Sequence, residues 1–118
     1  MMNSEREPDE LLRLHADLCK MLSHPTRLRI MEQLRDGEET VSQLVSQVDA
    51  SQSNISQHLG ELKRRRLVRS RRDGSNVYYR LSQPKILDAC DIIREVLINQ
   101  LTEESDLLKT ELRGVYDE

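Results

Sequence analysis

Apolar positions recur every three or four residues along most of this chain, the spacing of one buried helical face. Leu11, Leu14, Leu18, Met21 and Leu22 mark a first amphipathic helix ending near Ser23. Pro25 suits the first turn of a second helix, which carries Leu28, Ile30, Met31 and Leu34 and stops at Asp36-Gly37. Thr40 is placed to cap a short third helix with Val41, Leu44, Val45 and Val48 inward. Only Asp49 and Ala50 separate that helix from the cap of a fourth, Ser51, which opens a stripe of Ile55, Leu59 and Leu62. Two short helices so closely joined, the second polar on its outer face, form a helix-turn-helix pattern.

After Arg66 the period changes. Residues 67–72 and 77–81 are short runs rich in Val, Tyr and Arg, and Asp73-Gly74 between them predicts the turn of a β-hairpin. Tyr78 and Tyr79 fall on opposite faces of their strand, so one belongs to the core and the other supports the hairpin. Beyond Pro84 a long helix places Ile86, Cys90, Ile93, Val96, Leu97, Gln100 and Leu101 on one face and continues through Leu108 and Leu112 to Gly114. It is too long and too apolar for a small monomer to cover. The expected organisation is a flexible N-terminus over residues 1–8 and a single domain over 9–114. Its fold is mainly α, about five helices with a two-stranded wing, in the order of a winged helix-turn-helix.

Composition adds a partner and a compartment. A core of Leu, Ile, Val and Met in 118 residues, with no Phe or Trp, buries a modest fraction of its surface, so a second subunit is expected. No apolar run approaches the ~20 residues of a membrane span. The N-terminal MMNSEREPDE is acidic and lacks the apolar core of a signal peptide, which points to the cytoplasm. The net charge of −3 hides a separation: residues 51–80 hold eight Lys and Arg against two Asp and Glu. A basic patch on an acidic body steers a polyanion to one face.

The fourth helix orders its chemistry along its length. Gln52, Ser53, Ser56, Gln57 and His58 offer donors and acceptors without net charge at neutral pH, whereas Lys63, Arg64, Arg65 and Arg66 suit phosphates. Ser53, Ser56, Gln57 and His58 are the expected base contacts, and Thr40, Ser51, Lys63, Arg64, Arg65, Arg69, Arg71 and Arg72 the expected phosphate contacts, on double-stranded DNA. His58, next to Leu59, is alternatively a core histidine satisfied by a neighbour, and His24 before Pro25 reads as capping or packing. Neither G-x-G-x-x-G, a P-loop, H-E-x-x-H nor G-x-S-x-G occurs, and three His with two Cys assemble no catalytic set, so neither an enzyme nor a cofactor is expected. The competing class is a winged-helix module for protein or RNA without operator specificity.

LSHPTRLRIMEQL, TVSQL, SQSNISQHLGELKRRRLV and RRDGSNVYYRLS, in that order, resemble the arsenic-repressor-type (ArsR/SmtB) transcriptional regulators over about residues 11–100. The resemblance implies a homodimer joined through its first and last helices. Such a dimer reads an inverted-repeat operator with two recognition helices and two wings, and usually represses until an inducer binds. The family commonly has Gly before the Leu-Val that starts the wing. Here Arg66 stands there, so the helix is expected to end differently and to reshape its basic end.

Metal-sensing members carry Cys-x-Cys before the recognition helix or Asp/His sets on the last helix; TVSQLVSQV has no Cys or His and QPKILDACDIIREVLINQ no His. A standard arsenite, zinc or cobalt site is therefore not expected. Cys19, with His15 one turn before it, and Cys90 remain, on the two helices the family uses to dimerise. They are either small buried hydrophobes or a redox switch joined by a disulfide or sulfur bridge. A third option is a non-standard site for zinc or copper(I) built from His15, Cys19 and Cys90 with a nearby Asp.

Overall fold

The structure, a computed structural model, describes residues 7–116. In chain order it forms α1 (Glu7–Met21), α2 (Pro25–Gln33), β1 (Glu39–Thr40), α3 (Val41–Gln47), α4 (Gln52–Arg64), β2 (Val68–Asp73), β3 (Asn76–Leu81) and α5 (Lys85–Tyr116). The chain divides into two units that meet at Gln83 and Pro84.

The first unit is a helix-turn-helix with a wing. Of the segment expected to be flexible, residues 1–6 lie outside the described residues, while Glu7 and Pro8 already belong to α1. Proline in a first turn costs no intrahelical bond, and Asp9 and Glu10 favour the positive end of the helix dipole. Pro25 occupies the first turn of α2 as expected. That helix closes at Gln33, before Asp36-Gly37, because its bonds tighten: the Leu34 N–H reaches Met31 O at 3.1 Å and the Arg35 N–H reaches Glu32 O at 3.1 Å.

Thr40 and Ser51 cap the two central helices. Thr40 Oγ1 accepts from the Gln43 N–H while Gln43 Oε1 accepts from the Thr40 N–H, a reciprocal capping box. Ser51 Oγ accepts from the Asn54 N–H at 3.1 Å. Between them the Ala50 N–H donates to Val48 O at 2.8 Å, a three-residue turn centred on Asp49 that sets α4 against α3. Ile30 and Met31 of α2 with its C-cap Leu34, Leu44 of α3 with its C-cap Val48, and Ile55, Leu59 and Leu62 of α4 are buried and make the core with Val68 and Leu81. Truncating any of the α4 three to Ala should cost 2–5 kcal/mol, roughly the range for a buried aliphatic residue.

The wing has three strands rather than two, in the order β1-β3-β2. β1 pairs antiparallel with β3, Glu39 opposite Tyr79 and Thr40 opposite Tyr78. Asp73 pairs with Asn76, so the turn is Gly74-Ser75, one residue beyond the expected Asp73-Gly74. Gly74 takes φ +64 and Ser75 stays out of the left-handed region, the pattern of a two-residue type II′ hairpin turn whose first position glycine fills without strain.

Arg66 is also left-handed, with φ 60. Its N–H donates to Lys63 O and the Leu67 N–H donates to Leu62 O, both at 2.9 Å. Those two bonds make a complete Schellman cap, so α4 ends as it would with glycine, against the expectation that Arg66 changes the ending. Both orphan carbonyls are satisfied and the left-handed backbone is tolerated.

The second unit is α5, which runs two residues past the expected end at Gly114. Leu87 and Cys90 are buried on its first turns, whereas Ile92, Ile93, Val96, Leu97, Ile98 and Leu101 are all more than half exposed. No helix of the described residues is long and apolar enough to cross a membrane.

Candidate nucleic-acid interface

Burying Ile55, Leu59 and Leu62 turns the opposite face of α4 to solvent. Gln52, Ser53, Asn54, Ser56 and Gln57 are all exposed there. Ser53 shares a 3.3 Å hydroxyl contact with Ser51, while Gln57 and Ser56 make no side-chain hydrogen bond with the described residues. Their donors and acceptors are available to another molecule. Asn54, which the sequence reading left out, shares this first turn; its side chain is exposed and only its N–H is used by the cap.

His58 is different. It is half-buried, its Nδ1 accepts from Arg27 Nε at 3.0 Å, and its ring centroid lies 5.9 Å from that of His24. Desolvation by burial, then the charges of Arg27 and His24, hold its pKa below the ordinary histidine value. Arg27 also donates to Met21 O at 3.1 Å, so one guanidinium ties the end of α1 to the middle of α4. The satisfied-histidine alternative thus has direct geometric support, and the ring nitrogen facing Arg27 is not available for a base. His24 makes no side-chain cap and packs instead against His58.

The basic residues divide by partner. Arg65, Arg66, Arg69 and Arg72 are exposed, and their side chains make no hydrogen bond or ion pair with the described residues. Lys63 Nζ donates to Ser70 Oγ at 2.8 Å, linking the end of α4 to β2, and Arg64 pairs with Glu61 at 2.9 Å while remaining largely exposed. Arg71 is engaged by Glu38 in a bidentate pair and lies over the Tyr78 ring. Arg80, also missed from sequence, stands opposite Arg69 on the neighbouring strand. The signal was the hairpin register, which a turn placed one residue early misassigns. The Thr40 and Ser51 hydroxyls accept helix N–H bonds through their lone pairs, which leaves the Thr40 O–H proton for a phosphate oxygen, while the Ser51 hydroxyl also meets Ser53 Oγ at 3.3 Å.

Cys19 is exposed and Cys90 buried. Among the described residues no three His, Cys, Asp or Glu gather in a metal-binding group.

A polar reading helix flanked by unpaired cations on its own end and on a wing is the equipment of a DNA-binding regulator, and the known proteins it resembles agree. Residues 24–70 match the model of bacterial regulatory proteins of the arsR family. The uncharacterized HTH-type transcriptional regulator Rv0081 of Mycobacterium tuberculosis is 36% identical over 104 residues, 87% of this chain and 91% of that protein. The chain belongs to the arsR family. The crystal structure of Rv0081 superposes with a TM-score of 0.72 at 38% identity, over 80% of this chain and 95% of that one. The transcriptional repressor BigR from Xylella fastidiosa gives 0.66 at 31% identity, over 77% and 96% of the two chains. The homodimeric winged helix-turn-helix DNA-binding domain of Mb0332 from Mycobacterium bovis gives 0.71 at 28% identity, over 86% and 93%.

Proposed function

We propose that this arsR-family chain is a sequence-specific DNA-binding repressor that acts in the cytoplasm as a homodimer on an inverted-repeat operator and is released by an inducer. The observation that carries it is the exposed, uncharged first two turns of α4 beside a basic helix end and wing. A module for protein or RNA has no reason to keep small hydrogen-bonding side chains at that place. In this assignment residues 9–114 work as one domain, α1 and α5 supplying the dimer contacts. Ser53, Ser56 and Gln57 read base edges in the major groove, with His58 holding the helix beside them. Thr40, Ser51, Lys63, Arg64, Arg65, Arg69 and Arg72 hold the phosphates. Repression follows BigR, which is described as a transcriptional repressor.

The inducer assignment rests on the two thiols. Cys19 is exposed, as a redox-sensing thiol must be, whereas Cys90 is buried on α5 and needs the helix to shift before it reacts. Equal operator affinities for reduced protein, oxidant- or persulfide-treated protein and Cys90→Ser would rule out the thiol switch.

A band-shift titration against the chain's own upstream region tests the core claim. Gln57→Ala should weaken the specific complex by about 1–3 kcal/mol and relax preference at particular base pairs. Arg72→Ala should weaken all sequences alike and lower the salt slope by about one. Gln57→Ala leaving base preference intact while Arg72→Ala changes it would overturn these roles. Equal affinity for upstream and random duplex would overturn the operator itself.

A further inference from the structure

Arg71 sits in the middle of the basic hairpin, where composition alone makes it a phosphate contact. Its surroundings say otherwise. The Arg71 Nε lies 2.9 and 2.8 Å from the two carboxylate oxygens of Glu38, and Nη2 lies 2.5 Å from Oε1. The guanidinium carbon stands 4.5 Å above the centre of the Tyr78 ring, directly across the β2-β3 ladder, and Asp73 adds a second carboxylate at 4.0 Å from Nη1. Planar bidentate pairing and stacking on an aromatic face together fix an arginine far better than a lone surface ion pair.

The partners also cross the sheet. Glu38 immediately precedes β1, Tyr78 lies on β3 opposite Thr40 of β1, and Arg71 belongs to β2. One side chain therefore links β2 and β3 to the residue just before β1 and ties the wing to the segment that caps α3. The hydrogen bonds from Arg71, with the nearby charges of Arg71 and Arg80, hold the Glu38 carboxyl below its ordinary range, so the pair is charged throughout the neutral region. By contrast Arg72, the next residue, has no such partner.

We propose that Arg71 is a positioning residue: Glu38 and Tyr78 hold its guanidinium within the wing, locking β2 and β3 onto β1 and withholding one positive charge from the DNA face. The inference deepens the DNA-binding role proposed above and rests on it for its charge count, though the lock itself does not need DNA. Charge count and lock have separate readouts.

The experiment uses the full chain and a duplex of its upstream region, with binding titrated over a range of salt. Arg71→Ala should lower affinity without changing the salt slope, because no phosphate contact is lost, whereas Arg72→Ala lowers the slope by about one. Glu38→Gln should steepen the slope by about one, as the released guanidinium reaches phosphate, and Glu38→Gln with Arg71→Ala should return it to the wild-type value. Amide exchange at Glu39 and Tyr79, which face each other across the β1-β3 pair, followed without DNA, should quicken in Arg71→Ala and stay unchanged in Arg72→Ala. A slope that falls by about one in Arg71→Ala overturns the proposal, as does unchanged exchange at the β1-β3 amides. A wild-type chain that binds no duplex removes the DNA-binding role instead, and the exchange measurement alone then decides whether Arg71 is the lock.

Discussion

At the scale of single residues, Arg66 shows a conformation outvoting a side-chain preference. With φ at 60 it sits where an L side chain costs about 1–2 kcal/mol, and it is held there by the two hydrogen bonds that close α4. Arg66→Gly should therefore stabilise the fold by about 1 kcal/mol, read as a rise in the denaturation midpoint, while Arg66→Ala should gain nothing. A glycine variant less stable than wild type would mean that the arginine side chain contributes more than its backbone costs. His58 gives the pH counterpart. Its folded pKa is lowered, so the unfolded chain binds more protons in the window below the ordinary value of 6.5. The stability it contributes is present above that value and is lost as pH falls through the folded pKa. Protonation also places a proton on the nitrogen that accepts from Arg27. Thermal unfolding of wild type should therefore weaken between pH 7.5 and 5.5 more steeply than that of His58→Gln. Parallel profiles would show that the Arg27 contact does not depend on the state of the ring.

At the scale of elements, α4 puts the residues that fold the protein and the residues proposed to read DNA on opposite faces. Gly60 is exposed in the middle of this helix, one turn past Ser56 and Gln57, and a methyl group added there would meet nothing within 4 Å. Gly60→Ala should stabilise the helix by roughly 0.5–1 kcal/mol. If DNA lies along that face the same methyl stands in its way, so operator affinity should fall as the melting temperature rises. Affinity that is unchanged would place the duplex away from Gly60. The same helix shows what a sequence makes legible. Its cap at Ser51 and its stripe of Ile55, Leu59 and Leu62 are separated by only a few residues, and local spacing suffices to find them. β1 is two residues long, too short to show a period, so the third strand was invisible. The Arg71–Glu38 and Arg27–His58 pairs join residues that are 33 and 31 positions apart, and nothing in either local pattern names the partner. Basic composition therefore placed Arg71 among the phosphate contacts, and the polar helix face placed His58 among the base contacts.

At the scale of the whole molecule, the question is what covers the apolar faces of the two terminal helices. Leu11, Leu12 and Leu14 of α1 are each over 60% exposed, and α5 leaves Ile93 and Leu97 at 58% and 51%. A soluble monomer rarely leaves contiguous apolar patches of that kind in water, and a chain this small gains much of its burial by association. A dimer also answers the need of the reading helix, since two α4 helices about 34 Å apart meet successive major grooves. Each half-site alone offers few contacts, and joining two makes the second engagement intramolecular, so breaking the dimer should remove most of the affinity for a full operator. Replacing Ile93 and Leu97 by Glu tests this without disturbing the α4 reading face. Both positions are exposed in the single chain, and surface substitutions away from packed features change stability by only about ±0.5 kcal/mol. Sedimentation should show the wild type as a dimer and the double variant as a monomer. The variant should keep its helical circular dichroism and lose tight binding to the full inverted repeat. A wild-type chain that sediments as a monomer at micromolar concentration and still binds that operator tightly would sink the dimer and leave the exposed leucines unexplained.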